Sequence, residues 1–162
     1  GDTRLVLRVY GHRSPTSKKD RQDTVIAVSF APAGENGRAV IAAANAAKAR
    51  GYTPITYVLE QAAADVGKET ADASRLVALV GDGKETCDGD PCAAARALAA
   101  ADAKLVVHAI GFSADAATRQ QLRCIARNAS GGYWDAGNRN ELQARLAEVA
   151  KKSEGSIWIS DS

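Results

Sequence analysis

Asp82 and Thr53 are the residues of this sequence best placed to do chemistry. Asp82 follows RLVALV, residues 75–80, an apolar run of strand length that stops at Gly81-Asp82-Gly83. Thr53 stands at Thr53-Pro54, where a hydroxyl N-cap and a proline in the first turn open a helix. Strand ends and helix starts share one edge of a parallel α/β sheet, the edge outside which ligands bind. A carboxylate and a hydroxyl converging there offer the oxygen donors that a hard divalent cation takes. Alone, an Asp-Gly at a strand end is better read as a loop cap. The second oxygen donor is what favours the cation.

Other chemistries find less support. Gly81-Asp82-Gly83-Lys84 lacks the glycine spacing and the Lys-Ser/Thr pair of a phosphate loop. No G-x-S-x-G elbow occurs. His108 alternates with apolar residues in KLVVHAI and reads as a packed or hydrogen-bonded core histidine rather than a base. Glu85, Asp88 and Asp90 do not have the spacing of a standard calcium loop and read as a solvated turn. Tyr10-Gly11-His12 ends a strand and reads as a turn bordering the site.

The elements that must position Thr53 and Asp82 follow from periodicity. Residues 5–10 (LVLRVY) and 24–30 (TVIAVSF) are strands joined by a polar loop, 11–23, with no helical pattern between them, so they pair antiparallel. Helices are expected over 37–50, stopped by Gly51, and from Thr53 through Ala63. Then come strand 75–80, a helix from Asp90-Pro91, strand 104–110, helix 114–128, a short strand at 132–134 and helix 138–152. With residues 156–160 as a last strand, this is an α/β fold. We expect a doubly wound, Rossmann-like, mostly parallel six-stranded sheet with one antiparallel edge strand and helices on both faces.

At 162 residues the chain is one domain's worth. Its 21 basic and 19 acidic residues alternate along most of its length, without the basic stripe of a nucleic-acid binder. The densest patch, His12 to Arg21, contains turn formers and an acid and reads as a solvated loop rather than an anion site. No apolar run reaches membrane-spanning length. There is no signal-peptide pattern, but no methionine either, which implies a processed form or a fragment.

The three cysteines are Cys87, Cys92 and Cys124. Cys87 and Cys92 flank the turn-rich Asp88-Gly89-Asp90-Pro91, and the expected disulfide joins them, with Cys124 buried and free. The sequence leaves pairing of Cys87 with Cys124 open. A disulfide implies an extracytoplasmic setting, periplasmic or secreted. Zinc is disfavoured, because His12 and His108 show no ligand spacing.

The chain resembles a von Willebrand factor type A domain of the bacterial kind, from residue 4 to about 152. The resemblance is carried by Leu5 to His12, by Gly51-Tyr52-Thr53-Pro54-Ile55, and by Asp82-Gly83-Lys84-Glu85-Thr86-Cys87 with Asp90-Pro91-Cys92. Gly111-Phe112, Leu122 to Ala126 and Gly131-Gly132-Tyr133-Trp134 extend it. It implies a metal-ion-dependent adhesion site, with Thr53 as the family's loop threonine and Asp82 as its aspartate after the fourth strand. The cofactor implied is Mg2+, with Mn2+ or Ca2+ as substitutes. The partner implied is a protein that supplies an acidic residue to the metal.

The family's first strand and its D-x-S-x-S motif should precede Leu5, and they do not. The tail, Gly155-Ser156-Ile157-Trp158-Ile159-Ser160-Asp161-Ser162, has the character of that missing piece: an apolar strand ending in Asp-Ser. Residues 1–154 are therefore read as the domain. Residues 155–162 are read as a strand filling its central slot, in a permuted chain or by exchange between chains, and bringing Asp161 to the metal. The rival account makes the tail the start of a following domain. The motif's two serines have no counterpart, so weak cation binding is expected. The function read from the sequence is a non-enzymatic, cation-dependent protein-binding module. A scaffolding domain with a degenerate, metal-free site comes second, and a small α/β hydrolase or nucleotide-binding protein last.

Overall fold

The computed structural model describes residues 4–11, 21–46, 52–68, 75–151 and 156–161, the last of these by their backbone. The expected loop 12–20, the stop at Gly51 and most of the 67–74 loop lie outside the described residues. The elements are β1 Arg4–Tyr10, β2 Thr24–Pro32, α1 Ala33–Ala46, α2 Ile55–Gly67, β3 Arg75–Gly81 and α3 Pro91–Ala101. They continue with β4 Leu105–Phe112, α4 Ala116–Asn128, β5 Tyr133–Ala136, α5 Arg139–Lys151 and β6 Ser156–Asp161. Helix α1 starts four residues before the expected Gly37, directly after β2, with Glu35 in its first turn to complement the helix dipole.

The α/β class holds. The strands fall into two blocks. One is the antiparallel pair β1/β2; the other is the parallel trio β3, β4, β5. The backbone of β6 joins them, pairing parallel with β1 and with β3, in the order β2-β1-β6-β3-β4-β5.

Alternation along the strands sends successive side chains to opposite layers. Val77 and Leu79 of β3, with Val107 and Ala109 of β4, face a core completed by Ile55, Val58, Leu59 and Ala62 of α2 and Leu122 and Ile125 of α4. Leu76, Ala78 and Val80 of β3 face the other way, onto Val149 of α5 and Ala136. Leu7 and Val9 of β1 pack on Val40 of α1. Helices thus cover both faces, as the near-continuous apolar run of β3 requires. None of the described helices is long and apolar enough to cross a membrane.

Two arginine–carboxylate forks tie helices to strands. Arg8 of β1 donates from Nε and Nη2 to Asp65 of α2, at 2.8 and 3.0 Å, with both side chains buried. Arg75, at the start of β3, donates likewise to Asp102, the C-cap of α3. The hydrogen bonds from Arg75 hold the Asp102 carboxyl below its ordinary range, against the opposing effect of burial. The folded-state value lies below the unfolded one. The stabilisation is therefore complete above the unfolded carboxyl's range and is lost as the pH falls through the folded-state value. Asp102→Asn should cost about 1 kcal/mol at pH 7, and the deficit should shrink below about pH 4. Paired thermal melts across that range check this; a deficit that is constant down to strong acid contradicts it.

Candidate functional site

The carboxyl edge is built by the chain leaving β1, the turn into α2 and the loop after β3. Gly11 ends β1 with φ +64°, a conformation glycine adopts without cost. A Cβ there would stand 2.8 Å from the Tyr52 carbonyl oxygen, so the glycine lets the α2 entry lie directly against β1. Tyr10, fully buried, donates its hydroxyl to the Val80 carbonyl at 2.9 Å and so links β1 to β3 just beneath the Asp82 loop.

The loop after β3 is stitched to the α2 entry. The Thr53 N–H donates to Thr86 Oγ1 at 2.6 Å, and the Thr86 N–H returns a bond to the Thr53 carbonyl at 3.1 Å. Thr53 is not the helix N-cap. Pro54 holds that position and makes no side-chain cap bond. The cap comes from outside the helix: Glu85 Oε2 accepts from the Thr56 N–H at 2.9 Å, which also sets a negative charge at the positive end of α2. Glu85 is fixed in turn by Gln121 of α4, whose Oε1 accepts the Glu85 N–H at 2.7 Å, and by the Cys87 N–H at 3.1 Å.

This arrangement leaves the Thr53 hydroxyl without a hydrogen bond among the described residues, over the loop that carries Asp82. Its Oγ1 lies 3.9 Å from where a Gly83 Cβ would be. Asp82, on that loop, is exposed. The backbone of β6 brings Asp161 to the same end of the strands, where Asp161 aligns with Val9 and Ser160 with Leu79. The neighbouring acids have structural partners. Asp90 caps α3 through the Ala93 N–H at 3.0 Å, and Asp88 pairs with Arg21 at 2.9 Å. Among the described residues, no three of His, Cys, Asp and Glu are grouped so as to hold a metal.

His108 is a core histidine. Its Nδ1 accepts the Gly132 N–H at 2.9 Å, and its ring meets Trp134 edge-on at 5.3 Å. His12 lies outside the described residues.

The cysteine assignment is corrected. The disulfide joins Cys92 to Cys124, with a Cα–Cα distance of 5.6 Å, and Cys87 is the buried free thiol. Cys92 stands in the first turn of α3, which packs on α4 where Cys124 lies. The Glu85 carboxylate meanwhile holds the Cys87 N–H against the α2 entry. Helix packing, rather than the short turn between Cys87 and Cys92, selects the pair. The Glu85 cap was also missed from sequence; the one available signal was a helix start with no usable cap of its own after Pro54.

No family model matches the chain. It is 29% identical over 153 residues to the uncharacterized protein YwmD of Bacillus subtilis, a match covering 93% of this chain and 68% of that protein. It is 31% identical over 93 residues to YwmC of the same organism, covering 57% of this chain and 40% of YwmC. Among solved structures it is similar to an aerotolerance-related membrane protein from Bacteroides fragilis. The TM-score is 0.59 at 16% identity, over 80% of this chain and 75% of that one, a likeness of fold alone.

Proposed function

We propose that the chain is a von Willebrand factor type A-like, non-enzymatic module that binds a protein partner through a divalent cation at the carboxyl edge. In this reading the fold is the doubly wound one, with β6 as its central strand. Thr53 and Asp82 supply a hydroxyl and a carboxylate, and Asp161 arrives on β6. The cation, Mg2+ or Mn2+, would present an open position to an acidic side chain of the partner. The supporting observation is the division of labour at the α2 entry. Glu85 does the capping, so the Thr53 hydroxyl faces the Asp82 loop with no helix N–H to satisfy. The donor set is oxygen only, as such a cation requires, and it is short of the family's two serines. An oxidising, extracytoplasmic setting accords with the Cys92–Cys124 disulfide.

The commitment of Glu85, Asp88 and Asp90 to structural partners favours a second reading, a scaffolding domain with a metal-free site. Calorimetric titration with Mg2+ and Mn2+ separates the two. The expected result is weak, saturable Mn2+ binding that Asp82→Ala abolishes and Thr53→Ala weakens at least tenfold, with melting temperatures unchanged. Wild-type protein that takes up neither ion would establish the scaffolding reading.

A further inference from the structure

Helix α4 presents Arg119, Arg123 and Arg127 at four-residue intervals, and their opposite numbers on the β5 segment stand at two-residue intervals. Arg119 pairs with Asp135, Nε to Oδ1 at 3.3 Å. Arg123 lies over the Tyr133 ring, 5.0 Å from its centroid. Arg127 shares a groove of about 470 Å³ with Gly131. The match is geometric: four helical residues rise about 6 Å and two extended residues about 6.6 Å. Gly131, whose N–H donates to the Ala126 carbonyl at 2.8 Å, brings no side chain to the groove. Arg127 has no side-chain partner among the described residues, and Arg123 makes only its stacking contact. Three guanidiniums here face one carboxylate.

The environment of the second rung is set firmly. The Tyr133 hydroxyl donates to Asp135 at 2.7 Å. Burial, reinforced by that bond, raises the phenol far above its ordinary range, so it remains a donor. Arg145 of α5 donates to the Asp135 carbonyl at 3.2 Å, which occupies this part of the β5 edge and leaves the Gly131 end as the open part. Gly131 lies against the Val107 carbonyl, four residues before Gly111 on β4, so the groove lies well back from the Thr53 and Asp82 edge.

We propose that this groove is a second binding site, independent of any cation, which takes an acidic side chain from an extended peptide of a partner protein between Arg123 and Arg127. The occupant's chemistry is read from the ladder itself. The first rung is already a strand-borne carboxylate on an α4 arginine, and a partner carboxylate over Gly131 completes the series. Guanidinium forks hold carboxylates with paired, charge-assisted hydrogen bonds. The stacked Arg123 is pre-oriented, which lowers the ordering cost of binding. Arg127 also stands in the last turn of α4, where a cation favours the helix dipole. That role alone would give it an effect on stability and none on binding.

The probe is the peptide acetyl-Ala-Asp-Ala-Asp-Ala-amide, with its Asn counterpart and inorganic phosphate as separate arms. The full chain is titrated in EDTA, which removes any metal-mediated route. The expected result is saturable binding of the Asp peptide, weakened at least fivefold in Arg123→Gln and in Arg127→Gln and by added salt, but unaffected by Asp82→Ala. The NMR shifts of the Tyr133 ring should move with occupancy. The proposal is overturned if the Asp peptide does not saturate, if the Asn peptide binds as well, if phosphate binds and the peptide does not, or if Arg127→Gln binds like the wild type.

Discussion

A chain ending at Glu154 is expected not to fold. Strand β6 pairs six of its residues with β1, Arg4–Val9 against Ser156–Asp161, and five with β3, Arg75–Leu79 against Ser156–Ser160. Deleting it breaks both ladders at once and leaves the β1/β2 pair and the β3–β5 trio with no backbone ladder between them. The exposed edges belong to the most buried strands: Val6 to Tyr10 and Leu76 to Gly81 are buried throughout. An unsatisfied buried backbone group costs about 1–3 kcal/mol, and a domain's whole stability is about 5–15 kcal/mol. A handful of such groups exhausts it, and the open edges then invite aggregation. Expression of residues 1–154 should give insoluble protein or a spectrum without dispersed amide signals, and a synthetic peptide of residues 155–162 added in trans should restore dispersion. Soluble 1–154 that melts at the full-length temperature would show that the tail belongs to another unit.

Reduction of the single disulfide is expected to destabilise the domain by roughly 3–4 kcal/mol, since it closes a loop of 32 residues in the unfolded chain. For a domain of this size that is a fall of about 10 °C in melting temperature. Cys92→Ala or Cys124→Ala should match it, while Cys87→Ala, away from the bridge, should cost only what a small buried side chain costs. Mass spectrometry of unreduced digests is the direct check. It should find the Cys92 and Cys124 peptides linked and Cys87 alkylated only after unfolding. A Cys87–Cys92 link would overturn the assignment.

Most of the fold was legible because its signals are local. The alternation in TVIAVSF, the unbroken apolar run of RLVALV and the helical spacing after Pro54 are each written within one element. The antiparallel start followed from a polar loop with nothing in it to serve as a crossover. The boundaries that moved, Ala33 for Gly37 and Pro54 for Thr53 as N-cap, are places where the competing conformations differ by a single turn.

At the candidate site, the sequence alone determined that a hydroxyl and a carboxylate stand at the same edge, because Thr53 precedes a helix and Asp82 follows a strand. It also determined the four-residue spacing of Arg119, Arg123 and Arg127. What those groups meet was decided only by the tertiary structure. Glu85 reaches the α2 start from a loop 29 residues away. Asp135 and Gly131 come opposite α4 because β5 runs beside it. Cys92 meets Cys124 because α3 packs on α4. Periodicity assigns a residue to an element and a face, since backbone geometry repeats every few bonds. Partners across elements depend on how whole faces pack, and spacing along the chain carries no trace of that.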